Sequence, residues 1–432
     1  MKICVSGLWH LGTVTAACLA SAGNDVTGLD FDATTVEQLQ AGHPPLYEPG
    51  LEELLRQGLN NGCLRFSSDI PNGLCDVELV WVTYDTPVDD EDRADVDFVL
   101  EHVIRLFPYL ASGTLVLLSS QLPVGTTRRL EKVYAASYPG KPVSFGYSPE
   151  NLRLGKAIDA FTRPERVVVG LRNNSDQERV RKLFRPFTER IEWMSIESAE
   201  MTKHALNSFL AMSVAFINEV AMLSEEVGAD AKEIERALKT DARIGPRAYL
   251  SPGSAFSGGT LARDILFLSE IGKAHNQSTH LLSAVQESNN AHRHWVRRKI
   301  QEHLGDLRGQ TVAVWGLTYK PGTDTLRRSI SVELCEWLVE QGALVRAHDP
   351  AVKVLPNELA QKIKLFSSPL PVLEEASTLV IGTEWPEYQS LTAESVLSVM
   401  RNPLVLDPNR FLIKTFGSDP RFRYVTVGKA ML

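Results

Sequence analysis

The stretch KICVSGLWHLG, residues 2–12, joins a short apolar run to the start of a helix through a turn that contains glycine. The run before the turn has the length and apolar character of a buried strand, and TVTAACLASAG after it is typical of a helix that ends at Gly23. A strand, a glycine turn and a helix in this order are typical of a dinucleotide-binding unit. Gly7 would form the tight turn, and Gly12 would let the helix pack closely against the strand.

The second glycine of the GxGxxG pattern is replaced by Trp9. That glycine lets the backbone approach a pyrophosphate, so an indole here either blocks the site or displaces the ligand. Asp30 ends the next apolar run, NDVTGLD, where it would accept hydrogen bonds from an adenosine ribose and repel a 2′-phosphate. The pattern therefore indicates NAD rather than NADP, and an ordinary strand-to-helix turn is the alternative.

Strand-like and helical segments alternate on both sides of one long helical region. The runs VELVWVT, TLVLLSS and ERVVVG continue the first strand series, which predicts a parallel sheet with helices on both faces. An apolar helical period then extends from Ser198 to Gly228, and strands return after Gly309 with GQTVAVWG, STLVIGTEW and NPLVLDP. We expect an α/β fold in which two doubly wound parallel-sheet domains are joined by a central helical domain.

The composition is that of a globular protein. Of the 432 residues, 44% are apolar and 23% are charged, and the net charge of −8 argues against a nucleic-acid partner, which would need a basic face. No apolar run approaches the roughly 20 residues that cross a bilayer. The N-terminus also lacks the apolar region and cleavage site of a signal peptide. We therefore expect a cytoplasmic protein without a membrane partner.

The five cysteines are scattered along the chain and form no CxxC pair. Neither a disulfide framework nor a zinc site is expected from an odd number at such spacings, and the ten histidines show no metal-ligand spacing. Cys4 and Cys18 lie in apolar segments and are expected to be core residues. We expect no bound metal.

Eight further motifs, in chain order, resemble those of the UDP-glucose/GDP-mannose dehydrogenase family, and together they span nearly the whole chain. They are SSQLPVGTT (119–127), YSPENLRLGKAIDAFTRPERVVVG (147–170), SAEMTKHALNSF (198–209), DARIGPRAYLSPG (241–253), GLTYKPGTDTLRRS (316–329), HDP (348–350), TEWPEY (383–388) and DPNRF (407–411).

The resemblance implies three domains and a reaction. Residues 1–197 would form a Rossmann-type NAD-binding domain, 198–300 a central helical domain for dimerisation with the active-site loop 251–265, and 301–432 a Rossmann-like domain that binds the nucleotide sugar. The expected partner is a second copy of the chain. The expected reaction oxidises the C6 alcohol of a UDP- or GDP-sugar twice, to a carboxylate, and reduces two NAD.

The groups that the family uses in the first oxidation are present. That step needs a proton acceptor and a group that stabilises the developing oxyanion. The resemblance assigns these roles to Lys203, Asn207, Asp264 and Glu150. Lys203 and Asn207 are four residues apart, so on a helix they lie on one face. Solvated surface residues or a helix salt bridge are the alternative for each of them.

The groups for the second oxidation are replaced. In the loop SPGSAFSGGTLARDI, Thr260 aligns with the family's cysteine, and a hydroxyl is a weak nucleophile unless a base activates it. Leu154 stands where a second glutamate would assist hydrolysis, and Gln121 stands where a threonine would help to place water. Arg263 replaces a lysine and cannot act as a base.

The resemblance also carries cofactor and substrate positions onto this chain. For NAD it implies Gly7, Trp9, Leu11, Gly12, Asp30, Thr86, Gln121 and Arg327. For the sugar nucleotide it implies Arg153, Tyr249, Leu250, Gly253, Phe256 and Lys320, with the loop backbone from Pro252 to Gly259 around the sugar and pyrophosphate. Thr325 and Arg328 depart from the family's aspartate and glutamate, which leaves the sugar and the base open.

We therefore expect an NAD-dependent nucleotide-sugar oxidoreductase that is limited to a two-electron alcohol oxidation. Three alternatives remain from the residues alone. They are an epimerase that uses transient oxidation, a slow acid-forming enzyme that oxidises an aldehyde hydrate, and a non-catalytic binder of nucleotide sugars.

Overall fold

The computed structural model describes residues 1–89, 93–150, 152–256 and 259–430. The chain divides into two compact units, Met1–Leu206 and Asn207–Leu432. Each unit contains one sheet whose strands alternate with helices along the chain. The predicted α/β fold with two doubly wound sheets and a helical region between them is confirmed.

The sheet of the first unit has eight strands in the order β3-β2-β1-β4-β5-β6-β7-β8. At its centre Val5 pairs with Gly28 of β2 on one side and with Trp81 of β4 on the other. The strands are β1 (Lys2–Ser6), β2 (Asp25–Leu29), β3 (Leu64–Ser67), β4 (Leu79–Val82), β5 (Leu115–Leu118), β6 (Ser144–Tyr147), β7 (Val167–Leu171) and β8 (Ile191–Met194).

One strand pair departs from the predicted parallel arrangement. β7 pairs antiparallel with β6, whereas β8 again runs parallel to β7. The connection between β6 and β7 contains one short helix, Ala157–Thr162. The segment ERVVVG joins the sheet as predicted, but in the opposite direction.

Helices cover this first sheet. The helix α1 begins directly after the first turn and ends one residue before Ala22, close to the predicted end at Gly23. The helices are α1 (His10–Ser21), α2 (Ala33–Gln40), α3 (Leu51–Asn60), α4 (Ile70–Gly73), α5 (Val96–Ile104), α6 (Thr126–Ser137), α7 (Ala157–Thr162) and α8 (Gln177–Phe184), with 3₁₀ turns at Phe107–Tyr109 and Asn174–Asp176.

The longest helix is α9 (Ile196–Val227), which has 32 residues and ends just before Gly228, as predicted. An 18-residue window of α9 has the mean hydropathy, 1.5, of a membrane span, and half of that window is buried in the described structure. By length and mean hydropathy alone α9 could cross a bilayer, although no run of consecutive apolar residues within it approaches 20 residues. Glu200, His204 and Asn218 on this helix are buried and hydrogen-bonded to protein groups, which is typical of a core helix.

The sheet of the second unit is fully parallel and has six strands in the order β11-β10-β9-β12-β13-β14. They are β9 (Thr311–Trp315), β10 (Leu344–His348), β11 (Lys364–Phe366), β12 (Thr378–Ile381), β13 (Leu404–Leu406) and β14 (Arg423–Val425). The apolar runs that predicted strands after Gly309 contain β9, β12 and β13.

The helices of the second unit fall into two groups, one before β9 and one within the sheet region. They are α10 (Ala231–Thr240), α11 (Gly259–Ala274), α12 (His280–Arg293), α13 (Trp295–Leu304), α14 (Ile330–Glu340), α15 (Asn357–Ala360) and α16 (Ala393–Leu397), with 3₁₀ turns at Pro371–Leu373 and Pro386–Ser390 and a π-helical turn at Ile413–Gly417.

Candidate functional site

The turn between β1 and α1 has the geometry that a dinucleotide turn requires. Gly7 adopts a φ of +97°, and a Cβ atom there would lie 2.7 Å from the backbone nitrogen of Tyr84. A Cβ atom on Gly12 would lie 1.7 Å from the carbonyl oxygen of Gly7. Only glycine permits this close approach of helix to strand, because no side-chain rotation relieves a contact with backbone.

Asp30 follows β2 and faces the same turn. Its Oδ2 accepts a hydrogen bond from the Leu8 amide at 2.6 Å, and its Oδ1 accepts one from the Asp32 amide at 3.1 Å. The side chain is only partly buried, and each carboxylate oxygen has a further lone pair for a ribose hydroxyl. The position and acceptors of Asp30 therefore fit the adenosine ribose of NAD.

The first turn of α1 offers amides to an anion. No side chain caps this helix and no acidic residue lies in its first turn, so nothing in the turn repels a pyrophosphate. Trp9 occupies the N-cap and is 48% exposed, whereas Leu11 is buried. The residues present fit NAD, with the bulky Trp9 at the position where the pyrophosphate would pass.

Thr86 and Gln121 lie beyond the carboxyl ends of β4 and β5, at the same edge of the sheet. Both are buried, and the Thr86 hydroxyl donates to the Gln121 carbonyl at 2.7 Å. This bond ties the two segments together beside the N-terminal crevice, which is the space at the carboxyl ends of β1 and β4, where the strand order reverses.

Two buried residues of α9 hold the segment that follows β5. Glu200 accepts hydrogen bonds from the amides of Gly125 and Thr127 at 2.6 and 3.0 Å, at the start of α6. His204 Nε2 bonds the Leu122 carbonyl at 2.9 Å. Their carboxylate and imidazole replace water at backbone groups that would otherwise be unsatisfied. The motif SAEMTKH contains both residues, but only its lysine pointed to a function.

Lys203, between these two on α9, reaches Glu150. Its Nζ donates to the Glu150 carbonyl oxygen at 2.6 Å and to Oε1 at 3.2 Å. Lys203 is 7% exposed, so the ammonium group depends on these acceptors. The structure thus brings together two of the residues that the resemblance assigned to the first oxidation.

The segment after Glu150 is anchored by a residue that no motif pointed to. The buried carboxylate of Glu48 accepts from the amides of Gly155 and Ala157 at 2.7 and 2.8 Å, and it bonds His10 Nε2 at 3.0 Å. Arg153 is exposed in this segment, and Leu154 is half-buried. Glu48 lies more than a hundred residues from the two amides that it accepts, so only the fold reveals its role.

In the second unit, Asn207 and Asp264 form a buried pair. Asn207 Nδ2 donates a short hydrogen bond to Asp264 Oδ2, and Asp264 has no exposed surface. Asp264 lies on α11, whose second residue is the exposed Thr260, and Arg263 precedes Asp264. The structure therefore joins α9 to α11 through two further predicted catalytic residues.

A cavity of about 780 Å³ lies in the second unit beside Thr260. Its lining includes every predicted substrate residue of this unit, namely Tyr249, Leu250, Gly253, Phe256 and Lys320. Lys239 and Arg247 also line it, so three basic side chains surround the space. Such a cavity suits an anionic ligand with an apolar or aromatic part.

Three more residues of this cavity were not predicted: Tyr319, Glu384 and Asn409. Burial raises the pKa of Tyr319 and of Glu384. Tyr319 is the neighbour of Lys320 in the motif YKPG, and Glu384 and Asn409 lie in TEWPEY and DPNRF. Residue type alone does not separate a cavity residue from a packing residue within such motifs.

Three amides of the loop that is expected around the sugar and pyrophosphate are already hydrogen-bonded. The amides of Gly253, Ser254 and Phe256 already donate to side chains of the protein, at 3.0, 2.7 and 2.9 Å. An amide has one hydrogen to donate, so these three are not available to a pyrophosphate. Residues 257 and 258 lie outside the described structure.

Arg327 is set apart from this cavity. It is exposed in the segment before α14, and it lines none of the three described cavities, whereas Lys320 lines two. Lys320 is therefore the basic residue of this motif that the structure brings to the cavity beside Thr260.

No cysteine lines any of the three described cavities. Cys4 and Cys18 are fully buried, as predicted, and so is Cys335. Burial raises the pKa of Cys18 and of Cys335 to about 12, which keeps both thiols protonated. Within the residues that the structure describes, no three His, Cys, Asp or Glu side chains converge to hold a metal ion.

Three domain profiles of one family match the chain. The NAD-binding, central and UDP-binding domains of the UDP-glucose/GDP-mannose dehydrogenase family match residues 1–188, 197–291 and 313–414. UDP-glucose 6-dehydrogenase of Pseudomonas aeruginosa is 34% identical, over 99% of this chain and 98% of that protein. The Rhizobium meliloti enzyme of the same name is 32% identical, over 99% and 100%.

A solved structure is similar over the same length. A UDP-glucose dehydrogenase from Pyrobaculum islandicum superposes with a TM-score of 0.87 at 30% identity, and covers 99% of this chain and 98% of its own. Together with the glycine turn, Asp30 and the paired polar residues of α9, these similarities show that the chain belongs to the UDP-glucose/GDP-mannose dehydrogenase family, whose cofactor is NAD.

Proposed function

We propose that this chain is an NAD-dependent nucleotide-sugar oxidoreductase that stops after a two-electron oxidation of an alcohol. The observation that carries the proposal is that Thr260, and no cysteine, lines the cavity of about 780 Å³ in the second unit. The groups for the first step are meanwhile present and paired, Lys203 with Glu150 and Asn207 with Asp264.

The first oxidation needs donors for a developing oxyanion and an acceptor for a proton. Lys203 and Asn207 lie one turn apart on α9 and supply an ammonium and an amide donor. Asp264 holds the Asn207 side chain and is the carboxylate that takes the proton, directly or through a water. Glu150 holds the Lys203 ammonium in place.

The N-terminal crevice would hold the cofactor. Gly7 and Gly12 let the backbone come close, Asp30 would bond the adenosine ribose, and the first turn of α1 would face the pyrophosphate. NAD, when bound, accepts a hydride from the substrate carbon. Thr86 and Gln121 would border the cofactor at the ends of β4 and β5.

The second oxidation lacks its chemical groups. An aldehyde must first gain a nucleophile before a second hydride can leave, and the Thr260 hydroxyl is a poor nucleophile without a neighbouring base. Arg263 stays protonated and cannot serve as that base. Leu154 offers no carboxylate for hydrolysis. The aldehyde is therefore the expected product, and oxidation of its hydrate is the slow alternative.

The substrate class follows from the cavity and the relatives. Lys239, Arg247 and Lys320 line the cavity, and such charge suits a diphosphate. The third domain profile is a UDP-binding domain, and the relatives are named UDP-glucose 6-dehydrogenases. We therefore propose a UDP-sugar as the substrate, with Arg153 as a further substrate contact and Arg327 as a further cofactor contact.

The proposal is tested by the NADH formed per sugar consumed, measured with UDP-, GDP- and dTDP-sugars. A ratio near one is expected. A ratio near two would show an ordinary four-electron dehydrogenase. No NADH with a changed sugar would show an epimerase, and no reaction with ligand-induced thermal stabilisation would show a binder.

The Thr260→Cys/Leu154→Glu variant tests the stated cause. It restores a thiol and a carboxylate at the two replaced positions, so we expect the NADH ratio to rise from about one toward two. Thr260→Cys alone serves as the matched variant that gains a nucleophile without a hydrolytic group. A ratio that stays at one in both variants would show that these two residues do not limit the reaction.

We further propose a homodimer that forms through α9. Phe209, Phe216 and Leu281 are 61%, 49% and 61% exposed and line an apolar cavity of about 570 Å³. Large apolar side chains clustered at a surface favour a protein contact. Phe216→Glu should convert a dimer to a monomer in light scattering. A wild-type monomer at micromolar concentration would contradict this proposal.

The three domains at 1–197, 198–300 and 301–432 and a cytoplasmic location are also part of the proposal. The scattered, unpaired cysteines support a reducing compartment. Limited proteolysis tests the boundaries, and fractionation of cells tests the location. Fragments that end far from 197 and 300 would contradict the division.

A further inference from the structure

Two side chains bond the backbone at Gly253 and Ser254. Asn218 Oδ1 accepts from the Gly253 amide at 3.0 Å, and Asn218 Nδ2 donates to the Ser254 carbonyl at 3.4 Å. His292 Nε2 lies 2.8 Å from the Gly253 carbonyl oxygen. Since a carbonyl only accepts, this nitrogen carries a hydrogen, and Nδ1 is buried without a hydrogen-bond partner among the described residues.

Two more side chains continue this pattern along the loop. Asn289 bonds both backbone groups of Phe256, the amide and the carbonyl, at 2.9 Å each. Asn409 Oδ1 accepts from the Ser254 amide at 2.7 Å. The carboxylate of Glu384 in turn bonds Asn409. Asn218, Asn289, His292 and Asn409 together are named the loop frame.

The loop frame fixes the loop more firmly than solvent would. Loops usually turn their backbone polar groups to water, which leaves them free to change shape. Here Asn218, Asn289 and His292 are almost fully buried, at 1%, 4% and 2% exposed, and come from α9 and α12. Breaking any of these bonds leaves a buried polar group unpaired, which is strongly unfavourable.

Gly253 is required by the same arrangement. A Cβ atom at this position would lie 2.1 Å from Asn409 Oδ1. The glycine therefore lets the segment after β13 approach the loop closely enough for the Ser254 amide to reach Asn409.

We propose that the loop frame consists of positioning residues, which hold the backbone of residues 253–256 in the shape that the nucleotide sugar needs beside Thr260. The inference rests on the proposed function, because residues 253–256 line the cavity assigned to the sugar nucleotide. The frame residues act through the loop, and Asn409 alone among them also lines the cavity.

The frame also limits how the loop can bind a diphosphate. With the amides of Gly253, Ser254 and Phe256 engaged, Ala255 has the one amide of this stretch without an acceptor among the described residues. Ala255 lines the same cavity. The basic side chains of the cavity must therefore neutralise the charge of a diphosphate, and the Ala255 amide is the one donor that this stretch of the loop adds.

Hydrogen exchange of residues 253–256 and the Kd of UDP test the proposal in the full-length chain. Asn289→Leu removes both bonds to Phe256 at similar side-chain size. We expect its loop amides to exchange about tenfold faster and its UDP Kd to rise about tenfold, with the Kd of NAD unchanged. The matched control is Asn290→Leu, which changes an exposed asparagine next to it and should alter neither value.

A second pair of variants distinguishes positioning from simple loss of stability. His292→Gln keeps a donor near the position of Nε2, whereas His292→Leu keeps only the volume. We expect His292→Gln to keep the UDP Kd within about threefold of wild type and His292→Leu to raise it about tenfold. If both variants bind UDP equally, or if Asn289→Leu leaves loop exchange unchanged, the proposal is wrong.

The proposed function can fail separately. If wild type binds no UDP and no nucleotide sugar, the proposed substrate is wrong, while faster loop exchange in Asn289→Leu and His292→Leu, but not in Asn290→Leu and His292→Gln, would still support the frame. If UDP binds to wild type and the four variants exchange alike, the substrate stands and the frame is overturned.

Discussion

The two sheets of this protein have the same strand order at their centres but different crevices. Six strands of the first sheet follow the order β3-β2-β1-β4-β5-β6, and the second sheet follows β11-β10-β9-β12-β13-β14. The strand at each centre, β1 or β9, is followed by a glycine with positive φ, +97° at Gly7 and +91° at Gly316. Each second strand is followed by an aspartate, Asp30 and Asp349, that accepts the amide of a leucine after the glycine, at 2.6 and 2.7 Å.

The two crevices differ in how far protein groups cover their aspartate. In the first unit α1 begins at His10, directly after the turn, and Asp30 remains partly exposed. In the second unit α14 begins only at Ile330, and Asp349 is 2% exposed because the Trp385 indole, at 3.1 Å, and Thr318 cover it. The same topology thus leaves one aspartate for a ribose and seals the other, so the strand order alone does not predict a dinucleotide site.

The largest expected effect comes from pushing α1 away from the turn that follows β1. Gly12→Ala would place a Cβ atom 1.7 Å from the Gly7 carbonyl, so α1 must move away from β1. We expect the Kd of NAD to rise about 100-fold or more, measured by calorimetry. Gly23→Ala, at the other end of α1, meets no neighbouring atom, although its φ of +84° strains the backbone there, and it should leave the Kd within about twofold. Equal effects of the two variants would contradict the role of the turn.

The two aspartates should respond in opposite ways to the same substitution. Asp349→Asn removes the charge that six donors share, among them the Leu317 amide and the Trp385 indole, and should lower the free energy of unfolding by about 2–3 kcal/mol. Asp30→Asn should change stability by less than about 1 kcal/mol but raise the Kd of NAD about tenfold.

Thermal unfolding and calorimetry on both variants check this contrast. A loss of NAD affinity in Asp349→Asn without a loss of stability would show that the second crevice also binds the cofactor. An unchanged Kd in Asp30→Asn would show that Asp30 does not bond the ribose.

Substitutions of Trp9 test whether its indole weakens the binding of NAD in the first crevice. Trp9→Gly restores the glycine that lets backbone approach a pyrophosphate, and the indole is half-exposed, so little packing is lost. We expect the Kd of NAD to fall about tenfold. Trp9→Phe keeps an aromatic ring and should remain near wild type. A weaker Kd in Trp9→Gly would mean that the indole contributes to binding.

The smallest expected effect is the pH dependence that His292 gives to the second unit. Burial, with Arg298 nearby, lowers the pKa of His292 below 6.5, although the Gly253 carbonyl and Glu225 oppose this. The unfolded chain then takes up a proton below pH 6.5 that the folded chain does not, so stability is full above that pH and falls on acidification. We expect a loss of about 1 kcal/mol between pH 7 and pH 5.5.

Unfolding of His292→Gln over the same pH range isolates this contribution. The variant should lose about 1 kcal/mol less than wild type between the two pH values, because glutamine does not titrate. Identical pH profiles would show that His292 is not held neutral in the folded chain.

Local patterns predicted the elements but not the contacts between them. The strands around Gly7, the length of α9 and the burial of Cys4 and Cys18 follow from apolar periodicity and glycine placement. The direction of β7 did not, because an apolar run indicates a strand but not the direction in which that strand enters the sheet.

The residues that position the sites were the least predictable. Glu48 and Glu200 bond amides that lie 107 and 75 residues away, and Asn289 reaches back 33 residues to Phe256. Residue type does not distinguish a buried asparagine or glutamate from an exposed one, and the fold determines its hydrogen-bond partner. The motifs identified the candidate catalytic residues, but they did not identify the residues that hold those residues and the loop in position.

The mass of the product formed from UDP-glucose with excess NAD most directly tests the restriction to one oxidation. With Thr260 and Leu154 in place, we predict an aldehyde that is lighter than the substrate by two hydrogen atoms, or its hydrate, which is heavier than the substrate by one oxygen atom. No carboxylate should accumulate at the rate of NADH formation. A carboxylate product that appears at that rate in the wild-type chain would contradict the proposal.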